Sequence, residues 1–355
     1  MARKLGLVAA PILIALVVVP VPAALAAGGH ATSAACTSWV TMASRNPGTA
    51  DNNLYGVTAL SSGNVWAVGE YFVGASTKTL IEHWNGKSWK VVASPDKGTG
   101  DSLHSVYAVS PANVWAAGSY YNGTAGRTLV EHWNGKSWKI VWTPNAGSGS
   151  NDLAAVRGTS AHNIWAVGDA VTSYPVTKTV ILHWNGHHWQ LAASPSIASA
   201  TNLLRAVRPV SPTEAWAVGT YSRSMGSKTL ILHWHQGHWQ VVASPTVPPG
   251  SNSLNAVLAT SATNAWAVGD YYNGTADRTL FLHWNGKRWL HSYSPNTGTS
   301  DSDDVNAIGA TSAANIYAVG ADDRGTGSKV LIVHWNGSHW RVTQGRNPGA
   351  GYNIF

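Results

Sequence analysis

The chain has 355 residues and a formal charge of +7, with only 11% of residues charged and with 36 Gly and 19 Trp. That composition suits turn-rich β structure, and the modest charge, with no Lys/Arg block, gives no ground for nucleic-acid binding. One cysteine, Cys36, excludes an internal disulfide, so packing alone must stabilise the fold.

Residues 1–26 read as a secretory signal. Arg3 and Lys4 precede an apolar run from Leu5 to Val21, and Ala24-Leu25-Ala26 supplies a small-residue cleavage site. Cleavage would leave a chain with a charge of +5 and no stable membrane insertion, expected to be secreted, either free or associated with the cell surface. Residues 27–38 form a polar linker, and the domain is expected over 39–355.

From Trp39 onward the sequence repeats about every 50 residues, the feature to settle before any fold is assigned. Trp66, Trp115, Trp165, Trp216 and Trp266 align, with Tyr317 in the sixth place. A second column is Trp84, Trp133, Trp184, Trp234, Trp284 and Trp335. A third is Trp39, Trp89, Trp138, Trp189, Trp239, Trp289 and Trp340. Together they take 18 of the 19 tryptophans, leaving Trp142 as the exception.

Each unit, about 51–95, 101–144, 151–195, 201–245, 251–295 and 301–345, carries four strand signals. In the first these are Leu54–Ala59, Asn64–Gly69, Thr79–Trp84 and Trp89–Ala93. A Ser-Pro or Thr-Pro pair begins five residues after the third-column Trp in five of the units and stops the ladder, since Pro has no N–H to donate. His83-Trp84-Asn85-Gly86-Lys87-Ser88-Trp89 recurs six times, with His235-Gln236-Gly237 breaking the pattern in the fourth copy. Asn-Gly between apolar runs predicts a two-residue type I′ hairpin, with Trp84 opposite Lys87 and Glu82 opposite Trp89.

Four antiparallel strands at this period predict an all-β β-propeller of four-stranded blades. Six units predict six blades, and the return of Arg45-Asn46-Pro47-Gly48 as Arg346-Asn347-Pro348-Gly349 leaves a seventh place open. The unpaired fourth-strand signal Trp39–Ala43 is expected to close the ring as an outer strand. The Trp-Ala-Val-Gly and His-Trp-Asn-Gly-x-x-Trp columns resemble those of secreted bacterial β-propeller repeat proteins, with a distant likeness to kelch repeats and to the Asp-box of sialidases. That resemblance implies fold and export and brings no catalytic residue with it.

The recurrent His83, His132, His183, His233, His283 and His334 lie on separate blades, too far apart for one ion, and are expected to bond to backbone within their own blades. Further histidines at 187, 188, 235 and 238 would form at most a loose surface metal site, so neither metal nor cofactor is assigned. The acidic run Asp301, Asp303 and Asp304 lacks the glycine and distal glutamate of a calcium loop and is expected to be solvated.

Binding is expected where long, variable loops join second to third strands and blade to blade. The candidates there are Tyr71, Tyr120, Tyr121, Tyr221, Tyr271 and Tyr272, with Tyr174 nearby, and Trp142. A basic residue begins each third strand, giving Lys78, Arg127, Lys178, Lys228, Arg278 and Lys329 as a cationic ring. The expectation is a monomeric, non-catalytic module that binds glycan, an anionic cell-wall polymer among the candidates, or protein. A secreted propeller glycoside hydrolase or lyase is the alternative from the enzyme class, and an assembly protein the third. Two carboxylates converging on the central opening would favour the enzyme.

Overall fold

The computed structural model describes residues 42–48, 50–173, 176–223, 226–298, 301–323 and 327–344. The expected signal segment, residues 27–38, Trp39–Thr41 of the expected closing strand, Tyr174 and 345–355 lie outside them. The described residues form 24 strands and no helix, arranged as six four-stranded antiparallel sheets, the blades of a β-propeller ring. Blade 1 comprises β1 (Asn52–Ser61), β2 (Asn64–Val73), β3 (Ser76–Trp84) and β4 (Trp89–Val91). Blades 2 to 6 span 102–140, 151–191, 201–241, 252–292 and 302–344 in the same strand order. First to third strands run longer than their sequence signals, and the fourth is shorter.

Blades stack through the tryptophans. Trp66 packs at 5.1 Å against Trp133 and at 5.4 Å, edge to face, against Trp138, both on blade 2. The same trio recurs at the next four junctions, headed by Trp115, Trp165, Trp216 and Trp266. Each pair of rings adds about 0.5–1.5 kcal/mol beyond the area it buries. Leu80 and Ile81, adjacent and on opposite faces, are both fully buried, because each sheet is covered on two sides.

Five junctions carry an apolar cluster shared by both blades. The sixth, where blade 6 meets blade 1, has none among the described residues. Val57 is 39% exposed there, whereas Val106, Val156 and Val207 at its position are buried. Ala307 is exposed and Tyr317 and Val319 are half-buried on the blade 6 side. Blade 6 has its own fourth strand, Trp340–Gln344. Among the described residues of the N-terminal segment, the Arg45 N–H donates to Glu82 Oε1 of blade 1 at 2.8 Å.

The recurrent hairpin departs from expectation. Trp84 pairs with Trp89 and Glu82 with Val91, so four residues form the turn. Asn85 Oδ1 accepts the N–H groups of Lys87 and Ser88, each at 3.0 Å, and only Gly86 has positive φ, at 90°. The amide side chain replaces a backbone acceptor, which closes a wider loop than two residues allow. Blade 4 alone has the two-residue form, between His235 and His238, with positive φ at both Gln236 and Gly237.

The histidine column also bonds differently. His83 Nε2 donates to the Asn64 side-chain oxygen at 2.9 Å while the ring stacks on Trp66. His132, His183, His283 and His334 repeat this with Asn113, Asn163, Asn264 and Asn315. Burial lowers the pKa of these five, which suits a neutral ring donating to an amide.

Candidate functional site

The register of the first strand slips by one residue at the same place in every blade. In blade 1, Leu54 pairs with Gly69 and Gly56 with Val68, so Tyr55 is left over. The equivalent leftover residues are His104, Ala154, Arg205, Asn255 and Asn306. A β-bulge leaves one residue unpaired and re-aims its side chain. Here all six bulged side chains meet in one open pocket of 360 Å³ at the centre of the ring, together with Asp152.

The glycine of Trp-Ala-Val-Gly makes the bulge possible. A Cβ on Gly69 would fall on the Asn53 carbonyl, and on Gly118, Gly168, Gly219, Gly269 and Gly320 on the carbonyls of Ser102, Asp152, Leu203, Ser253 and Asp304. The kinked first strand presses its backbone against that position, so only glycine fits. A buried Asn or Asp, at 52, 101, 151, 202, 252 or 303, then anchors the incoming link two residues before each paired leucine or valine. Asn202, for example, accepts from the Ile197 N–H at 2.8 Å and donates to the Ala200 carbonyl at 2.9 Å. Asp303 belongs to this set, bonded to the Thr297 N–H and hydroxyl and fully buried, so it is no solvated loop acid.

The pocket wall is polar and mixed in charge. His104 Nδ1 lies 3.4 Å from Asp152 Oδ2 and 3.1 Å from the Leu153 carbonyl. Burial opposes charge on His104, but the bond to Asp152 and its charge outweigh burial and raise the imidazole pKa. Burial would likewise raise Asp152, yet His104 outweighs it and the carboxyl pKa falls. The Tyr55 hydroxyl donates to Glu70 Oε1 at 2.9 Å, and burial with that carboxylate pushes the phenol up to about 12. Tyr55 and His104 meet edge to face at 5.8 Å.

On the far wall, Asn255 Nδ2 donates to Asp270 Oδ1 at 3.1 Å and to the Val305 carbonyl at 3.0 Å. Asn306 Nδ2 donates to Asp304 at 3.2 Å. Burial is the main reason that Asp169 and Asp270 rise to about 6; neighbouring carboxylates push the same way, and Arg205 pulls both down. The exposed Arg205 guanidinium thus stands among acids from blades 3 and 5.

The sequence candidates fall elsewhere. Tyr120, Tyr221 and Tyr271 pack at the rims of inter-blade clusters, and Tyr71 is half-buried at the same strand position. Tyr121 and Tyr272 are exposed, each hydroxyl tied to a glycine carbonyl in its own loop, of Gly123 and Gly274. Trp142 is 69% exposed on the outer fourth-strand side, and Tyr293, at the same repeat position, is 78% exposed.

The cationic ring is uneven. Arg127 donates to the carbonyls of Gly147, Ser148 and Gly149. Arg278 is buried and donates to those of Gly298 and Asp301, so both guanidinium groups hold inter-blade links. Lys78 pairs with Asp96 at 3.4 Å, while Lys178, Lys228 and Lys329 are exposed.

None of the six pocket positions emerged from sequence reasoning. The usable signal was the glycine repeated at 69, 118, 168, 219, 269 and 320, because an obligatory strand glycine marks a close backbone approach and often a bulge. The residues opposite it on the first strand are the ones that vary from blade to blade.

No family model and no curated protein matches the chain. Among solved structures, it is similar to YCF48 bound to a D1 peptide, at 16% identity over 81% of each chain with a TM-score of 0.50. It is similar to the PL25 ulvan lyase bound to -[GlcA(1-4)Rha3S]-, at 10% identity over 79% of this chain and 80% of that one, TM-score 0.51. The GH74 xyloglucanase from Xanthomonas campestris matches at 13% identity and TM-score 0.51, over 80% of this chain and 44% of its own length. At these identities the likeness concerns architecture, and the chain is a β-propeller with six four-stranded blades.

Proposed function

We propose that this protein is an exported glycan-binding propeller that takes a neutral, hydroxyl-rich saccharide in the central pocket. One observation carries the reading: a bulge repeated in all six blades delivers six different side-chain environments into a single cavity. The backbone is repeated while the side chains Tyr55, His104, Ala154, Arg205, Asn255 and Asn306 diverge, as suits a rigid frame around a selective site. A volume of 360 Å³ sits at the lower end of ligand pockets, about 300–1,000 Å³.

The chemistry suits sugars. Asn255 and Asn306 offer both donors and acceptors, Asp152 and Asp270 accept from hydroxyls, and Arg205 donates in a planar fork. The Tyr55 ring supplies an apolar wall. Asp152 lines the pocket, and Glu70, Asp270 and Asp304 accept hydrogen bonds from the lining residues Tyr55, Asn255 and Asn306; these four carboxyls outnumber Arg205 and His104, which favours a neutral ligand there over an anionic one.

A glycan array with neutral β-glucans, peptidoglycan fragments and uronate or sulfated oligosaccharides tests the proposal. Neutral hits that weaken at least about tenfold in Arg205→Ala, as loss of a hydrogen-bonded ion implies, would support it. Hits confined to sulfated or uronate chains, with Arg205→Ala unchanged, would overturn it.

A second reading rests on Asp169 and Asp270. Carboxyls held near 6 on either side of an exposed guanidinium can act as general acids close to neutral pH, as a hydrolase or lyase needs. New reducing ends or unsaturated ends released from a bound polysaccharide, and lost in Asp270→Asn, would establish it.

A further inference from the structure

Blade 4 breaks the repeat at two places that touch. Glu214 stands where the other blades have Asn64, Asn113, Asn163, Asn264 and Asn315, and His235 stands where they have the turn asparagine. Glu214 Oε2 lies 2.6 Å from His233 Nε2, and Glu214 Oε1 bonds to His235 Nδ1. One ligand atom from each of the three residues lies within 4.8 Å of the others.

We propose that Glu214, His233 and His235 form a binding site for a borderline divalent transition ion, with Zn²⁺ the natural probe. Two imidazoles and one carboxylate are a common protein donor set for such ions, and tetrahedral bonds of about 2.1 Å place ligand atoms about 3.4 Å apart. To reach that arrangement the two close Glu214–His contacts open while the widest separation, at most 4.8 Å, closes by up to about 1.4 Å, adjustments within what side-chain rotation supplies.

The rings are already aligned. His233 stacks on Trp216 at 3.9 Å and 6°, whereas the equivalent pairs in blades 1, 2, 3 and 5 are tilted by 26–27°. His235 continues the stack at 5.5 Å and 14° from His233. The two-residue turn at Gln236-Gly237, unique to this blade among the six hairpins that join third to fourth strands, brings His235 over the strand end where an Asn turn would close differently. With His235 43% exposed, solvent reaches the site and can fill a fourth position.

The site lies at the short-turn end of the blade, at the start of the second strand and the end of the third, away from the bulge residues. It is independent of the glycan reading. The test is calorimetric titration of the tag-free full chain with Zn²⁺, backed by Co²⁺ absorption in the visible. The expectation is one ion per chain, with melting temperature rising with Zn²⁺. Glu214→Asn recreates the His–Asn pair of the other five blades, so this variant keeps a foldable blade. Loss of even an outer-shell partner costs about 10–100-fold in affinity. Glu214→Asn and His235→Asn should each therefore weaken Zn²⁺ by at least about tenfold while melting like the metal-free parent. Equal stoichiometry and affinity in parent and Glu214→Asn, or no Zn²⁺ uptake by the parent, would overturn the assignment.

Discussion

Glu131 occupies a position that Leu182, Leu232, Leu282 and Val333 fill in later blades, and it is fully buried at the junction of blades 1 and 2. Neither of its carboxyl oxygens has a hydrogen-bond partner. Burial, then Asp96 and Asp101, push its pKa from 4.5 to about 9. The folded chain therefore holds a proton that the unfolded chain releases above 4.5. Between that pH and about 9, stability falls as pH rises. From the ordinary value to pH 7 the loss is about 3 kcal/mol, at 1.36 kcal/mol per pH unit. Orphaned polar atoms cost about 1–3 kcal/mol more, whatever the pH.

Glu131→Leu removes both penalties with little change of volume, and the sister blades already accommodate leucine there. Thermal or urea unfolding of parent and variant, read from pH 5 to pH 8, should show the variant more stable throughout. The gap should widen by up to about 3–4 kcal/mol over that interval. The difference between the two proteins isolates this group, since other titrating residues are common to both. A variant less stable than the parent, or a gap independent of pH, would refute the account of a neutral buried acid.

Gly269→Ala would drive a methyl group into the Ser253 carbonyl beside the Asn255 bulge, and should cost about 3 kcal/mol or more in a melting experiment. A cost near zero would mean that the bulge does not need the glycine. Replacing Asn85 and Gly86 by alanine removes an acceptor of two backbone N–H groups and forces Ala into positive φ; a loss of about 1–2 kcal/mol with unchanged glycan binding is expected. Binding lost at unchanged melting temperature would place the ligand at the wrong end of the ring.

The propeller was legible because its determinants are repeated and buried. Trp66, Trp84 and Trp89 recur at fixed offsets, and a column of large apolar residues every 50 positions has one economical explanation, stacked blades. The pocket was not legible, because its side chains follow from a backbone event. Tyr55 and Arg205 read as ordinary strand residues until Gly69 and Gly219 are seen to admit the opposing carbonyl and eject the residue beside it. The tyrosines after the Trp-Ala-Val-Gly strand, and Arg127 and Arg278, drew attention because such residues bind ligands. In the structure Tyr120, Tyr221, Tyr271 and both arginines tie adjoining blades and links together. Asn85 misled in a similar way: its side chain builds the turn, so the expected backbone-only type I′ hairpin does not form. The two changes in blade 4 were visible individually, but only folding brings Glu214 to His235, 21 positions later.

The central claim is that ligand enters where the six bulges meet, and Ala154, the smallest of the six, offers the direct test. Ala154→Trp adds an indole to the pocket from an unpaired, half-buried position, so the blades keep their packing. Titration of parent and variant with a glycan identified on the array, alongside their melting curves, is the measurement. The account predicts unchanged melting and abolished binding. Full binding by a folded protein with its pocket filled would contradict it.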